Sequence, residues 1–241
     1  MLKAESLTMC FGGLTAIKDV SLDIGQDELV GVIGPNGAGK TTLFNMVTGF
    51  YQPTSGKVLF DGHDISDWKP SKRTTSGLCR TFQITKPFSH LTVLENVLIG
   101  CLWYEKKMSM ARYVARETLD IVGLLHIAHL PAEGLPIGFR KRLELARVLA
   151  ARPKIMLLDE VMGGLASQEI LEMSDIITRI HKQGVGVVMV EHIMSAVMSL
   201  SQRIMVLDRG QLIANGTPEE VRNNEQVIEA YLGKKSTYTA H

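Results

Sequence analysis

The stretch Gly34-Pro35-Asn36-Gly37-Ala38-Gly39-Lys40-Thr41-Thr42 follows an apolar run, residues 29–33, and opens a helix-like run, residues 43–48. Strand, glycine-rich loop and helix in that order are the context of a phosphate-binding P-loop. The glycines let successive backbone N–H groups turn inward as an anion nest, and the helix N-terminus adds its positive end. Lys40 is expected to reach the β- and γ-phosphates and the Thr41 hydroxyl to ligate Mg²⁺. A chance glycine turn would match the residue types but not the strand and helix on either side. The stretch therefore predicts an α/β protein with a P-loop nucleotide-binding core.

Upstream, residues 7–11 and 20–24 alternate like antiparallel strands around a Gly12-Gly13 turn. Downstream, residues 53–56 read as a turn, 57–60 as a strand and Asp61-Gly62 as a second turn. From Thr92 to Arg152 the pattern becomes helical. Thr92-Val93-Leu94-Glu95 is a capping box opening a helix to about residue 103, with further helices over about 109–122 and 139–151. Short, continuously apolar runs then return at 155–158, 185–190 and 203–207, separated by helical stretches, as expected of parallel strands covered on both faces. Thr217-Pro218-Glu219-Glu220 is another capping box, opening a last helix that ends near 232–233, and residues 234–241 read as a flexible polar tail.

A phosphate cradle alone does not separate a kinase from a GTPase or a transport motor. The pair Asp159-Glu160, at the end of the apolar strand 155–158, adds the next piece. Ligands gather at the carboxyl ends of parallel strands, so both acids should face the same phosphates. Asp159 fits a carboxylate supporting Mg²⁺ through its water shell, and Glu160 a general base that polarises an attacking water. His192, after the apolar run 187–190 and Glu191, suits a neutral imidazole bonding the γ-phosphate. Gln83 could offer its carboxamide oxygen to Mg²⁺ or to the attacking water. Each of these polar residues would be ordinary alone; their company gives them weight.

Phe11, the P-loop, Gln83, the Leu157-Leu158-Asp159-Glu160 strand end and His192, in this order, resemble the nucleotide-binding subunit of an ABC transporter, over residues 2–233. Arg80-Thr81-Phe82-Gln83, Val190-Glu191-His192 and the ending Ala214-Asn215-Gly216-Thr217-Pro218 to Ala230-Tyr231-Leu232-Gly233 resemble the ATPases of branched-chain amino-acid importers in particular. The resemblance implies an ABC ATPase fold. Residues 1–88 and 153–241 would form the nucleotide-binding core with an antiparallel β subdomain, and residues 89–152 an inserted α-helical subdomain that touches the membrane subunits. It implies ATP with Mg²⁺ as ligands and Phe11 stacked on adenine through its π-face. It also implies partners: a second ABC ATPase subunit, two transmembrane permease subunits and, indirectly, a solute-binding protein.

The family signature, Leu-Ser-Gly-Gly-Gln, is here Leu135-Pro136-Ile137-Gly138-Phe139, so only Leu135 and Gly138 agree. In the family this segment binds the γ-phosphate held by the opposite subunit's P-loop. Pro136 has neither hydroxyl nor backbone N–H, and Ile137 resists the dihedrals that glycine allows. What survives is the helix N-terminus, with Pro136 acceptable near its first turn. Losing one charge-assisted hydrogen bond costs about 1.5–3 kcal/mol. If the bond forms only in the transition state, that is roughly a 10- to 150-fold loss in rate. Val161 stands where a proline usually follows the catalytic glutamate, and Ala166 where the next loop carries an acid or amide. Because each site joins one chain's P-loop to the other chain's signature, a heterodimer with unequal sites is favoured over a homodimer. The basic run Arg140, Lys141, Arg142 and Arg147 either orients the facing triphosphate or forms a solvated helix face. Residues 103–107 either meet a permease loop or pack as core and surface.

With 241 residues, 45% hydrophobic and 21% charged, the chain can bury a full core. A net charge of +1 argues against a nucleic-acid partner. Cys10, Cys79 and Cys101 are scattered without metal spacing and read as reduced thiols. No apolar run reaches the ~18 residues needed to cross a bilayer, and the N-terminus lacks a signal-peptide pattern. The expected location is cytoplasmic, held peripherally on the cytoplasmic face of the inner membrane by partners. The leading functional reading is an ATP-hydrolysing import motor. An export ATPase of the lipopolysaccharide type shares the 216–218 and 231–233 ending. A soluble ABC protein acting on ribosomes or DNA fits a single cassette less well, and a catalytically silent subunit fits poorly with Lys40, Glu160 and His192 retained.

Overall fold

The computed structural model describes residues 1–83 and 86–232. The tail expected over 234–241, and the Gly233 end of the resemblance, lie outside them. Strand β1 (Leu2–Phe11) pairs antiparallel with β2 (Leu14–Ile24) around Gly12-Gly13, with Phe11 opposite Leu14. Both strands are longer than their alternation suggests. The register slips between Ala4 and Leu7 and again up to Cys10, with Ser6 and Asp19 at φ 47° and 52°. Such bulges re-aim side chains and break the period of two on which the sequence reading rests.

After β3 (Leu29–Ile33) come α1 (Lys40–Thr48), β4 (Ser55–Phe60), β5 (His63–Asp64), α2 (Pro70–Thr75) and β6 (Leu78–Arg80). Strand β4 thus starts inside the stretch expected as a turn, and α2 and β6 were not anticipated. Next are α3 (Val93–Cys101), α4 (Met108–Ile121), a 3₁₀ turn (Leu125–Ile127), α5 (Ile137–Leu149), β7 (Ile155–Asp159), α6 (Ser167–Lys182), β8 (Gly186–Val190), α7 (Met194–Leu200), β9 (Arg203–Asp208), β10 (Gln211–Gly216), α8 (Pro218–Arg222) and α9 (Glu225–Leu232). The capping box opening α3 is complete, with Glu95 N–H on Thr92 Oγ1 at 3.1 Å and Thr92 N–H on Glu95 Oε2 at 2.8 Å. The single final helix expected from the sequence is two helices, because the Asn224 side chain accepts from Gln226 N–H at 2.9 Å and caps a new start.

Two sheets result: an antiparallel one ordered β2-β1-β4-β5, and a six-stranded one ordered β10-β9-β3-β8-β7-β6. Strands β9, β3, β8, β7 and β6 run parallel, and β10 returns antiparallel from β9. That return turns on Arg209 and Gly210, both at positive φ, the geometry of a tight hairpin turn. The parallel strands are covered on both faces. Leu29, Ile33, Met156 and Leu158 pack with the helices α3 to α7. Val30, Val32, Leu157 and Val188 pack with α1 and the antiparallel sheet. Both faces being apolar explains why these strands read as unbroken hydrophobic runs.

Candidate active site

Because β3, β6, β7 and β8 are parallel, their carboxyl ends open on one edge of the sheet. The loop 34–39, Gln83, Asp159-Glu160 and His192 all leave from that edge. Two P-loop glycines are sterically required. Gly34 stands at φ 151°, where a Cβ would lie 2.1 Å from Leu207 O; Gly39 stands at φ 103°, where a Cβ would lie 2.6 Å from Ile17 Cδ1. Between them Pro35 is half-buried, Asn36 and Gly37 are exposed, and buried Ala38 accepts from Gly210 N–H at 2.9 Å. The buried Lys40 donates Nζ to Gly34 O at 2.7 Å and to Pro35 O at 3.0 Å. Burial pushes the Lys40 pKa down, opposed by Glu160 and Asp159. A phosphate offers the same ammonium stronger, anionic acceptors. Thr41 is exposed and Thr42 half-buried at the start of α1.

Asp159 is buried, and its counter-charge is Arg80: Nη2 to Oδ2 is 2.6 Å. Thr81 accepts the Asp159 N–H at 3.0 Å. Arg80 also donates to Asn45 Oδ1 at 2.6 Å and lies near the rings of Phe44, Phe50 and Phe82. Glu160 is the point on which the site converges. His192 Nε2 lies 2.7 Å from Oε1, and Gln83 Nε2 donates to Oε2 at 2.7 Å. Its backbone is held too: Glu160 N–H donates to Val190 O at 2.9 Å, and Lys141 Nζ donates to Glu160 O at 2.7 Å. Glu160 sits at φ 50°, a left-handed conformation that costs a non-glycine residue about 1–3 kcal/mol.

A cleft of about 580 Å³ runs from Phe11 past residues 36–42 to Glu160, His192 and Arg209. Phe11, 43% exposed, is braced edge-on by Tyr51 at 5.3 Å, leaving its ring available at one end. A second cleft of about 710 Å³ is shared by Thr41, Gln83 and Asp159 and extends to Trp103 and Glu144. Hydroxyl, carboxamide and carboxylate oxygens are hard donors of the kind Mg²⁺ prefers, so these three residues fit that ion beside a phosphate. Among the described residues no three His, Cys, Asp or Glu side chains group into a metal cage.

The segment Leu135-Pro136-Ile137-Gly138-Phe139 is not brought to this cleft; Leu135, Pro136 and Phe139 line a separate groove of about 380 Å³. Helix α5 begins at Ile137, two residues earlier than expected, and Pro136 is its cap at φ −54°, ψ 155°, next to the first turn as expected. Ile137 is exposed, while a Cβ on Gly138 would lie 2.3 Å from Glu169 Oε1 at the start of α6. The reading of the basic run as a solvated helix face is corrected. Lys141 is buried, Arg142 pairs with Glu172, and Arg147 donates to Lys86 O at 3.1 Å and covers Phe88; Arg140 alone of the four is exposed. Trp103 is exposed on the larger cleft, whereas Tyr104 donates to Ala150 O at 3.0 Å. Arg80 on Asp159, Lys141 on Glu160, and Glu191, which accepts from Met162 N–H at 2.8 Å, were not anticipated. A charged residue set directly after the buried strand β8 is the signal that could have drawn attention to Glu191.

Parallel strands delivering a P-loop, a buried acid and a left-handed glutamate to one edge define a P-loop ATPase cassette. Residues 17–163 match the family described as "ABC transporter", and residues 211–236 match "Branched-chain amino acid ATP-binding cassette transporter". The high-affinity branched-chain amino acid transport ATP-binding protein LivG of Salmonella typhimurium is 39% identical, covering 97% of this chain and 98% of that protein. The lipopolysaccharide export system ATP-binding protein LptB of Haemophilus influenzae is 37% identical, covering 98% of each. Among solved structures, the ADP conformation of MJ1267, an ATP-binding cassette of an ABC transporter, superposes with a TM-score of 0.87 at 30% identity, covering 97% of this chain and 99% of that one. A dimeric post-hydrolysis state of the cassette MJ0796 bound to ADP and Pi gives 0.81 at 26%, covering 90% and 99%. The chain belongs to the ABC transporter family and is an ATP-hydrolysing cassette.

Proposed function

We propose that the chain is the ATPase subunit of an importer for branched-chain or related amino acids. Glu160 acts as general base on the attacking water, and the observation that carries this role is its carboxylate, held by Gln83 and His192 at the mouth of the P-loop cleft. Residues 34–42 cradle the phosphates, Lys40 exchanging its loop carbonyls for phosphate oxygens. Phe11 stacks on the base. Thr41, Asp159 and Gln83 hold Mg²⁺, which supplies charge neutralisation at the phosphates. His192 orients Glu160 and reaches the terminal phosphate.

ATP closes two cassettes on each other, with the 135–139 segment facing the other chain's nucleotide; the dimeric post-hydrolysis state of the cassette MJ0796, bound to ADP and Pi, supports such pairing. The departures at Pro136, Ile137 and Phe139 favour a related partner with a better segment over a second copy. Residues 89–152, taken as the helical subdomain, transmit closure to two permease subunits, and solute choice lies with a separate binding protein. On this reading those partners hold the chain on the cytoplasmic face of the membrane; among the described residues no helix is long and apolar enough to cross one. Export of a lipopolysaccharide-type substrate is the second reading, supported by the LptB similarity. The match over residues 211–236 favours a branched-chain amino-acid transporter. Glu160→Gln should lower ATP turnover by about 10²- to 10⁴-fold while nucleotide binding persists, the range of a lost general base. Unchanged turnover refutes the assignment.

A further inference from the structure

The turn after β7 is anchored by two buried ionisable residues that the ATPase chemistry leaves unused. Lys141, from α5, is 7% exposed and donates to Glu160 O; Glu191, at the end of β8, is 1% exposed and accepts from Met162 N–H. Val161 and Met162 between these anchors are themselves buried. Burial pushes the Lys141 pKa down and that of Glu191 up, and the charge of each opposes the other's shift. Two buried charges are tolerated together, whereas either alone is costly. The placement is specific. Lys141 grips the carbonyl of the residue whose φ is left-handed, and Glu191 grips the backbone two residues on. His192, the next residue after Glu191, meets the carboxylate of the same Glu160. Backbone and side chain of Glu160 are therefore held by groups on or just after three elements, β6, β8 and α5.

We propose that Lys141 and Glu191 are a positioning pair that holds the Glu160 backbone in its left-handed conformation and so aims its carboxylate. This rests on the reading of Glu160 as the base. Two buried charges serving stability alone would have no reason to end on the backbone of that one turn. Because Lys141 stands four residues after Ile137, the grip on Glu160 also joins the site to the helix that carries the 135–139 segment.

The test uses the full chain assembled in its transporter complex, reading ATPase kcat and KM, affinity for a fluorescent non-hydrolysable ATP analogue, and the thermal unfolding midpoint. Lys141→Met is expected to lower kcat at least tenfold, with KM and analogue affinity within twofold. Lys141→Arg, which keeps the donor and the charge, should retain more than half of wild-type kcat. The double variant Lys141→Met/Glu191→Gln removes both charges, so its midpoint should recover above that of Lys141→Met while kcat stays low. It also remains informative should the single variant fail to fold. Wild-type kcat in the double variant, or kcat that follows the midpoint across the three, overturns the pair. Glu160→Gln measured alongside separates the two claims. If it is slow while the Lys141 variants are fast, the pair alone fails; if it is fast, the base assignment fails and the pair loses its object.

Discussion

Asp159 and Arg80 show at the scale of single residues how the site is kept in order before nucleotide arrives. Their side chains are 4% and 6% exposed, and the carboxylate has the guanidinium as its near counter-charge. Removing one partner of such a pair leaves an uncompensated buried charge, at a cost of about 3–5 kcal/mol. Arg80→Met should therefore destabilise the nucleotide-free chain by about that amount. A divalent cation at Asp159 would replace the missing charge, so Mg²⁺ with ADP should raise the unfolding midpoint more in the variant than in the wild type. Equal shifts in a thermal scan with and without Mg²⁺ would count against Mg²⁺ at Asp159. These residues also mark where sequence reading stops. The P-loop, Asp159, Glu160 and His192 were legible because each stands at a fixed offset from a glycine or an apolar strand, and Gln83 only through the company of the others. Arg80 and Lys141 are defined by what they touch across the fold, Arg80 meeting Asp159 from 79 positions away, and no local pattern carries that information; Glu191 offered only a charge directly after a buried strand.

Elements were legible where one periodicity ran through them and obscure where a special backbone interrupted it. Helices α3 to α5 and the central strands follow their patterns. The bulges of β1 and β2, the Arg209-Gly210 hairpin and the Asn224 cap each depend on a single residue's dihedral or side-chain bond. Helix α6 carries one such terminal defect. Its cap is Ala166, which has no oxygen to offer, so only the reciprocal half of a capping box forms, Ala166 N–H on Glu169 Oε2 at 2.8 Å. Asparagine there would accept one of the unsatisfied N–H groups of the first turn and stabilise by about 0.5–2 kcal/mol. Ala166→Asn should raise the unfolding midpoint by roughly 2–4 °C per kcal/mol in a domain of this size. An unchanged or lower midpoint refutes the capping argument.

The two sheets are tied together where β2 ends and β3 and β9 begin, and that tie titrates. Arg203 of β9 donates to Asp23 O of β2 at 2.7 Å and to Glu28 Oε2 at 2.8 Å, and Glu28 accepts from Gly25 N–H at 2.7 Å. Burial pushes the Glu28 pKa up, but the Gly25 and Arg203 hydrogen bonds and the guanidinium charge outweigh it and hold the carboxyl below its ordinary 4.5. A carboxyl lowered on folding adds stability that is fully present above its unfolded value and is lost as pH falls through the folded one. The contribution is at most about 1 kcal/mol, because the pair is partly exposed to screening water. Glu28→Gln should therefore unfold slightly earlier than wild type at pH 7, with the gap closing below about pH 4.5 as the native carboxyl also protonates. A gap that widens on acidification would reverse the sign and dismiss the tie.

At the scale of the working molecule, the departures in residues 135–139 set a more searching test, because the proposed sandwich puts their effect on the other chain's nucleotide. Pro136 caps α5 without an oxygen, and Ile137 occupies its first helical position. Pro136→Ser with Ile137→Gly and Phe139→Gln would restore a side-chain oxygen at the helix start and an open approach to it. One regained charge-assisted bond, about 1.5–3 kcal/mol in the transition state, corresponds to a rate gain of roughly 10- to 150-fold at the site it faces. With this chain's own Lys40→Ala in place, only the partner's nucleotide turns over, and the restored segment should accelerate it by that factor. With the partner's P-loop lysine removed instead, this chain's own nucleotide turns over against the partner's segment, and the same substitutions should change nothing. Acceleration in the second arrangement would mean that the segment acts on its own chain's site, or that two copies of this chain pair, and the unequal heterodimer would be lost.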